Sequence, residues 1–286
     1  MAAYIERRRS AAAVWSRRFA AFAAMMLFIA TIGHRFGQIS TLDFAAVLVP
    51  VLAFALLALL CAAWGFWRLW SRGYKAGMDS TRGAILALIV LAPFVGGAVL
   101  ALRYPMLSDI STDPLDPPPL SVAATERGPQ DNAIAPYTPA HVAAQQAAYP
   151  QVTGRRYEAA PDRIVELVLA EIKARGWSVR RQPPPPAVDP EAEQAPASER
   201  AVEPVVQPET IIEAVALTPI LHFASDVSIR ITDEGATTYV DMRSASRFGR
   251  HDLGDNARRI AGFLTALDAA VKGQPLDQAE EAEPSR

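Results

Sequence analysis

The sequence predicts three transmembrane α-helices followed by an α+β domain, in which an antiparallel sheet packs against two main helices. Three observations support this fold class. Long apolar stretches fill the first hundred residues, apolar and polar residues alternate at period two between residues 226 and 243, and two later segments repeat apolar residues at helical spacing. A two-layer arrangement buries the apolar side of each of these later elements.

The membrane anchor is predicted to span residues 1–103. Its helices are expected at about 19–33, 44–66 and 84–102, close to the roughly 20 apolar residues that cross a bilayer. A cleaved signal peptide is the alternative for the first stretch, because arginines precede it. Two further spans and the lack of a convincing cleavage site favour a membrane helix. No span carries a central charged residue, which argues against a transport path.

Basic residues near the spans predict the orientation. Five arginines precede the first span, whereas the loop 34–43 holds Arg35 alone and the loop 68–83 holds four basic residues. The positive-inside rule therefore predicts a cytoplasmic N-terminus and a C-terminal domain in the periplasm of a bacterial inner membrane. Gly96 and Gly97 would allow close helix packing, although ordinary membrane composition explains them as well.

Residues 104–272 are expected to form the periplasmic domain. The proline-containing segment 109–119 is predicted to be extended, and its Ser111, Thr112, Asp113 and Asp116 suit either a cation or substrate site or simple turn chemistry. The elements that follow are predicted helices at 139–148, 161–175 and about 253–272, and strands at 178–182, 210–218, 226–232 and 237–243.

Two biased segments are predicted to be disordered. Residues 183–208 contain eight prolines with many alanines and glutamates and form an insertion, for which a passive loop and a bridge to a partner are both considered. Residues 273–286 form an acidic tail. Residues 104–286 hold 17 basic and 27 acidic residues, so the sequence does not indicate a nucleic-acid partner.

The densest group of polar residues lies between residues 241 and 259, where a strand ends and the last helix begins. Asp252 is expected to cap that helix, and the surrounding arginines would suit an anion such as a lipid phosphate. The alternative is an internal network in which the arginines pair with Asp241, Asp252, Asp255 and carbonyl groups. The candidate ligand-binding residues are Arg243, Ser244, Ser246, Arg247, Asp252, Asn256 and Arg259.

This segment carries the pattern Arg243-Ser-x-Ser-Arg-x-Gly-x-x-Asp-Leu-Gly-x-Asn-x-x-Arg259 and resembles the bacterial family known as domain of unknown function 1499. The segments Ile110-Ser-Thr-Asp-Pro, Gln146-x-x-Tyr149-Pro150 and Leu221-x-Phe-x-x-Asp226-Val are similar to that family too. The resemblance covers about 105–272, and the tract 183–208 departs from the family's compact spacing. It implies three N-terminal spans, as in some relatives, but no activity.

The sequence gives little indication of catalytic or metal-binding motifs. The four histidines show no metal-ligand spacing, and Ser244 or Ser246 with His251 and Asp252 make only a weak hydrolase pattern. No cofactor is predicted, and the single cysteine, Cys61, excludes an intrachain disulfide.

The leading hypothesis is a non-enzymatic cell-envelope protein that binds an anionic or lipidic ligand or a protein partner. An envelope enzyme acting on lipid or cell wall, and a membrane assembly or scaffolding factor, are the alternatives. Membrane lipids are the expected partners.

Overall fold

The computed structural model describes residues 8–182 and 209–273. Contacts divide the chain into two compact units, with the boundary between Arg103 and Tyr104. The loop Pro219–His222 groups with the first unit. The predicted insertion 183–208 lies outside the described residues, and so does the predicted tail except for Gly273.

The first unit is a bundle of three helices, α1 (Ala11–Arg35), α2 (Thr41–Arg72) and α3 (Gly77–Arg103). All three are long and apolar enough to cross a membrane. Each exceeds its predicted apolar stretch because the helical backbone continues into polar ends. Ser40 begins α2 by accepting the N–H of Asp43 at 3.1 Å, and Gly73 ends it with a left-handed backbone at φ 65°.

Small residues line the contacts among the three helices. They recur at alternating spacings of three and four, which places them on one face of each helix. The buried members are Ala13, Ser16, Ala20 and Ala23 in α1, Ala55, Ala58, Ala62 and Gly65 in α2, and Ser80, Gly83 and Ala87 in α3.

The closest helix packing occurs at Gly65 and Gly83. A Cβ atom added at Gly83 would lie 2.1 Å from the Ser16 hydroxyl, and one added at Gly65 would lie 2.3 Å from that of Ser80. At Gly96 and Gly97, by contrast, an added Cβ would meet no described atom within 4 Å. The close packing considered for Gly96 and Gly97 therefore lies elsewhere in the bundle.

The described residues of the second unit form an antiparallel six-stranded sheet and four helices. The strands are β1 (Asp109–Ser111), β2 (Arg155–Tyr157), β3 (Ser178–Arg181), β4 (Glu209–Leu217), β5 (Ala224–Asp233) and β6 (Thr238–Ser246). The helices are α4 (Ser121–Glu126), α5 (Pro139–Ala148), α6 (Pro161–Ala174) and α7 (Asp255–Val271). The sheet order is β1-β6-β5-β4-β3, and β2 pairs with the other end of β6. The predicted fold class is confirmed.

Helices α6 and α7 cover one face of the sheet. Ile164, Val168 and Ile172 of α6 and Ile260, Phe263, Leu264 and Leu267 of α7 are buried in one core with the inward residues of the sheet. Helix α6 ends as its sequence predicts. Gly176 adopts φ 67°, and the N–H of Trp177 donates to the carbonyl of Ile172 at 3.0 Å. Trp177 then stacks on Phe263, with ring centroids 5.4 Å apart.

The opposite face of the sheet is buried and charged, which the sequence analysis did not predict. Residues 113–132, here called the strap, lie over this face. The backbone N–H groups of Ser121 and Val122 donate to Glu213, while Arg127 donates to Asp226 at 2.8 Å. Part of the segment predicted to be extended also joins the sheet, because Asp109–Ser111 pairs with β6 as β1.

Candidate ligand site at the start of helix α7

The seven candidate residues divide between the two faces of the sheet. Arg243 and Ser244 are neighbours in β6, so their side chains point to opposite sides. The structure therefore brings Ser244, Ser246, Asn256 and Arg259 together beneath α7, whereas Arg243 and Arg247 lie among the charged residues on the strap face. Proximity in the sequence does not make these residues a single cluster.

The group beneath α7 forms a closed hydrogen-bond network around Asn256, which is fully buried. The Asn256 side-chain oxygen accepts from Ser244 at 2.8 Å and from Arg259 at 2.6 Å. Its amide donates to the Ser246 hydroxyl at 3.0 Å and to the carbonyl of Ser108 at 3.0 Å. Arg259 also pairs with Asp255 one helical turn earlier. The network fixes the end of β6 to the beginning of α7.

Asp252 occupies the position where an external anion would bind the helix N-terminus. Its carboxylate accepts the N–H of Gly254 at 2.8 Å and the N–H of Asn256 at 2.9 Å, as the sequence predicted for a capping residue. Burial raises the pKa of this carboxyl above its ordinary value, although the two backbone donors oppose the rise. The carboxylate of Asp252 therefore already binds the backbone N–H groups at the start of α7.

Arg243 is held by a bidentate ion pair on the strap face. Its guanidinium donates to the two carboxylate oxygens of Asp109 at 3.0 and 2.7 Å and lies 5.1 Å from the ring centroid of Tyr137. Burial, the largest single effect, lowers the pKa of Arg243, but the hydrogen bonds and charge interactions with Asp109 and Tyr137 together outweigh it, and the pKa is raised. Only 6% of the side chain is exposed.

Arg247 lies nearby and bridges two elements. It donates to both carboxylate oxygens of Asp226 in β5, at distances of 2.6 to 3.1 Å, and to Glu126 at the end of α4 at 3.1 Å. Arg127 of the strap donates to the same Asp226. Two guanidinium groups thus share one buried carboxylate.

The alternative predicted from the sequence, an internal network, is present in part. Arg258 and Arg259 pair with Asp255, but Asp241, Arg243 and Arg247 have partners outside the segment 241–259. Asp241 pairs with Arg230, with a shortest distance of 2.6 Å, and Arg230 also reaches Asp116 at 2.8 Å. Burial raises the pKa of Asp241 even though Arg230 lowers it. The partners of Arg243 and Arg247 are Asp109 and Asp226, which are distant in sequence from the segment 241–259.

One signal in the sequence pointed to the buried charged face. Arg230 and Asp241 are directly opposite each other in the β5–β6 hairpin, as an alignment of the two predicted strands would have shown. Asp226, Ser228 and Arg230 also alternate with the buried Val227, Ile229 and Ile231. Polar residues at this spacing ordinarily face solvent, yet Ser228 is fully buried and Arg230 is 8% exposed.

Turn chemistry accounts for the segment after β1. The Asp113 carboxylate accepts the N–H groups of Leu115 and Asp116 at 3.0 and 3.1 Å, and Thr112 accepts the N–H of Met242 at 2.8 Å. Across the two described ranges, no group of three or more His, Cys, Asp and Glu residues is placed to hold a metal ion.

The weak hydrolase pattern is dispersed in the structure. His251 Nδ1 accepts the N–H of Leu253 at 3.0 Å, and its Nε2 lies 3.1 Å from the carbonyl of Tyr104. Ser244 bonds instead to Asn256, so the hydrogen bonds of the histidine and the serine lead to different groups.

The surface beside this network carries further arginines. Arg250 is exposed, Arg258 has 52% of its side chain exposed, and Arg247 retains 18% exposure. Arg258 lies 5.7 Å from the ring centroid of Tyr104 and donates to the carbonyl of Leu253 at 3.1 Å. Arg258 also pairs with Asp255 at 3.8 Å, and Arg247 with Asp226 and Glu126, so the buried network supports a turn whose outer side carries both paired and exposed arginines. Arg258 was not among the candidate residues.

Comparison with known proteins adds a family but no activity. No curated protein and no solved structure matches this chain. One family model, described as a protein of unknown function (DUF1499), matches residues 109–267. The match begins at β1 and ends within α7, and it includes all seven candidate residues. Since it covers more than half of the 286 residues, the chain belongs to the DUF1499 family.

Proposed function

We propose that the chain is a bacterial inner-membrane protein with its N-terminus in the cytoplasm and its α+β domain in the periplasm. The distribution of basic residues supports this orientation. The segment before α1 and the α2–α3 connection are rich in arginine and lysine, whereas the α1–α2 connection is not. The family match, which places the domain after the three helices, is compatible with such an envelope location.

Protease accessibility tests the orientation directly. The full chain, with a tag on its C-terminus, is expressed in bacterial cells that are then converted to spheroplasts. External protease is expected to remove the tag from intact spheroplasts, and an N-terminal tag is expected to stay protected until the membrane is broken. A protected C-terminal tag with an accessible N-terminal one would reverse the proposed orientation.

We infer that the outer domain is a binding module for an anionic or lipidic envelope ligand, or for an acidic surface of a partner protein. The observation that carries this inference is the exposure of Arg250 and Arg258 beside the buried network, whereas Arg247 is already paired with Asp226 and Glu126. In this proposal, the seven candidate residues act mainly by supporting the turn and not by contacting the ligand. Their hydrogen bonds fix the backbone of the turn, so the exposed guanidinium groups are ordered before a ligand arrives.

Crosslinking in native membranes, followed by purification and identification of bound lipids and proteins, tests the binding role. The comparison is between the wild-type chain, the double variant Arg250→Gln/Arg258→Gln and a matched double variant, Arg156→Gln/Arg163→Gln. Arg156 and Arg163 are exposed elsewhere on the same domain, where they pair with Glu234 and Glu166. A species recovered with the wild type and the matched variant, but reduced roughly 25-fold with the first, supports the proposal. Equal recovery with all three contradicts it.

A further inference from the structure

A basic groove opens at one end of the three-helix bundle. This cavity of 640 Å³ lies between the beginnings of α1 and α3 and the end of α2. Four of its lining residues are cations, namely Arg9, Arg17, Arg18 and Lys75. Among the described lining residues the single acid is Asp79, which pairs with Arg17 at 3.0 Å. The groove therefore carries an excess of positive charge.

Two of these cations are fixed side by side by the backbone. The N–H of Lys75 donates to the carbonyl of Arg8 at 2.9 Å, and the N–H of Ser10 donates to the carbonyl of Lys75 at 3.2 Å. Arg9 and Lys75 consequently face each other as a bridge pair. Placing like charges directly opposite each other is unfavourable. An anion between them removes this repulsion and gains two charge-assisted hydrogen bonds.

The backbone of α3 adds to the positive potential. Gly77, Met78 and Asp79 form its first turn and line the groove, and the first N–H groups of a helix have no acceptor within the helix. The first turn of α3, the arginine side chains and the ammonium group of Lys75 thus all line the same groove. Positive potential from several sources favours a phosphate more than a single carboxylate, because a phosphate offers more acceptor oxygens.

The chemistry of the walls suits a ligand that is partly apolar. Val14, Leu69 and Met78 line the groove together with the basic residues, and Met78 is 67% exposed. Tyr74 lines it too, and Trp67 and Trp70 lie in the preceding turns of α2 with large exposed areas. Aromatic residues of this kind concentrate where the hydrocarbon meets the headgroups. This places the groove at headgroup depth.

We propose that this groove binds the headgroup of an anionic phospholipid, with the phosphate between Arg9, Arg18 and Lys75 and the upper acyl chains against Val14 and Leu69. In the proposed orientation the lipid belongs to the cytoplasmic leaflet. Basic pockets between helices on that side commonly hold anionic headgroups. The binding does not depend on the ligand role proposed for the outer domain, because every lining residue belongs to the helical unit.

Native mass spectrometry of the full chain, titrated in neutral detergent with phosphatidylglycerol or phosphatidylcholine, tests the groove. The key variant is Arg9→Gln/Lys75→Gln. The matched control, Arg72→Gln/Arg82→Gln, removes two charges from the same end of the bundle but outside the groove lining. We expect the first variant to weaken phosphatidylglycerol binding roughly 25-fold, since one basic residue beside an anionic lipid changes affinity about fivefold. The control is expected to stay within about twofold of the wild type.

Three outcomes would overturn the proposal. Equal weakening in both variants would show general surface attraction without a groove. Equal affinity for the two lipids would show that the negative headgroup is not recognised. Competition by inorganic phosphate at concentrations equal to those of the lipid would identify a soluble anion as the ligand. Circular dichroism and elution volume of each variant verify that the bundle is folded, so that lost binding is not lost structure.

Discussion

Arg243 links three parts of the α+β domain through a single guanidinium group. It joins β6 to Asp109 of β1, to the carbonyl of Pro118 in the strap at 3.3 Å and to the ring of Tyr137. Asp109 would lose its charged partner if the guanidinium were removed, and unpaired buried charges are expensive. Arg243 therefore acts mainly as a structural residue that stabilises the fold.

The substitution Arg243→Gln tests this role. We expect the free energy of unfolding of the α+β domain to fall by about 3 kcal/mol or more, the typical cost of breaking a buried ion pair. Chemical denaturation followed by the fluorescence of Trp177, which lies against the domain core, measures it. The four other tryptophans are replaced by phenylalanine in the reference and variant chains alike.

Arg163→Gln is the matched control for Arg243→Gln. Arg163 pairs with Glu166 on the exposed side of α6, and 61% of its side chain is accessible. Surface pairs of this kind contribute about 0 to 1 kcal/mol. Equal losses in the two variants would show that the Arg243 ion pair gives no special stabilisation to the domain.

Asp252 makes the stability of the domain depend on pH, and the direction of this dependence follows from its pKa. Burial raises the pKa of this carboxyl in the folded state above its ordinary value of 3.8. The folded chain therefore holds the proton more tightly than the unfolded chain. The contribution of Asp252 to stability is greatest below pH 3.8 and declines as pH rises through the folded pKa.

Asp252→Asn removes this titration but retains one side-chain oxygen as a capping acceptor. We expect the stability of the variant, relative to the wild type, to improve as pH rises from about 4 to 7, because only the wild type bears the cost of ionising a buried carboxyl. Thermal unfolding in a pH series measures the difference. A constant difference across the series would contradict the assignment.

At the scale of whole elements, the helical bundle depends on two glycines. Gly65→Ala is expected to destabilise the bundle, because the new Cβ would meet the hydroxyl of Ser80 at 2.3 Å. Ser80→Ala in the same chain should restore most of the loss, since the next contact, with the Cβ of Ala13, lies at 3.2 Å. The Ser80 hydroxyl has no hydrogen-bond partner among the described residues, so its removal alone should cost little.

Gly83→Ala is expected to behave differently. Its Cβ would approach the backbone nitrogen of Arg17 at 2.9 Å as well as the Ser16 hydroxyl, so Ser16→Ala should not rescue it. Gly96→Ala is the neutral control, with no described atom within 4 Å. Thermal melting of the purified chain in detergent distinguishes the variants. Rescue of Gly83→Ala by Ser16→Ala would contradict the backbone contact.

Long elements were predictable from the sequence, whereas short ones were not. Helices α6 and α7 repeat apolar residues over several turns, and β5 alternates over its whole length, so their periodicity is clear. Strands β1 and β2 contain three residues each, too few to show a period. They exist because β6 offers them a partner edge, and this depends on the folded sheet.

The sequence predicted which segment holds the candidate residues, but not how these residues are arranged in space. The sequence located the capping carboxylate of Asp252 and the polar density around α7. It did not locate Asp109 or Asp226, because the partners of Arg243 and Arg247 arrive from strands about 134 and 21 residues away. The strap also converts a polar strand face, which normally faces water, into an interior.

At the scale of the whole molecule, the insertion 183–208 interrupts a pair of neighbouring strands. It joins the end of β3 to the beginning of β4, and the two strands are antiparallel neighbours, with Arg181 opposite Glu213. Strand β4 extends from Glu213 back to Glu209, about 14 Å at roughly 3.4 Å per residue. About six residues of linker would cover that distance.

We therefore expect that replacing residues 183–208 with a six-residue Gly/Ser linker leaves the α+β domain folded. Shortening the connection from about 26 residues by roughly two doublings lowers the entropy cost of loop closure by about 1 kcal/mol, so the melting temperature should rise by a few degrees. Direct joining of Gln182 to Glu209 leaves only about 7 Å of chain between Arg181 and Glu209, which is too short for the gap. This variant is the matched control and should disrupt the pairing of β3 with β4. Loss of the folded domain in both variants would show that the insertion contributes contacts of its own. Retained folding together with lost recovery of a crosslinked partner would instead assign the tract a bridging role.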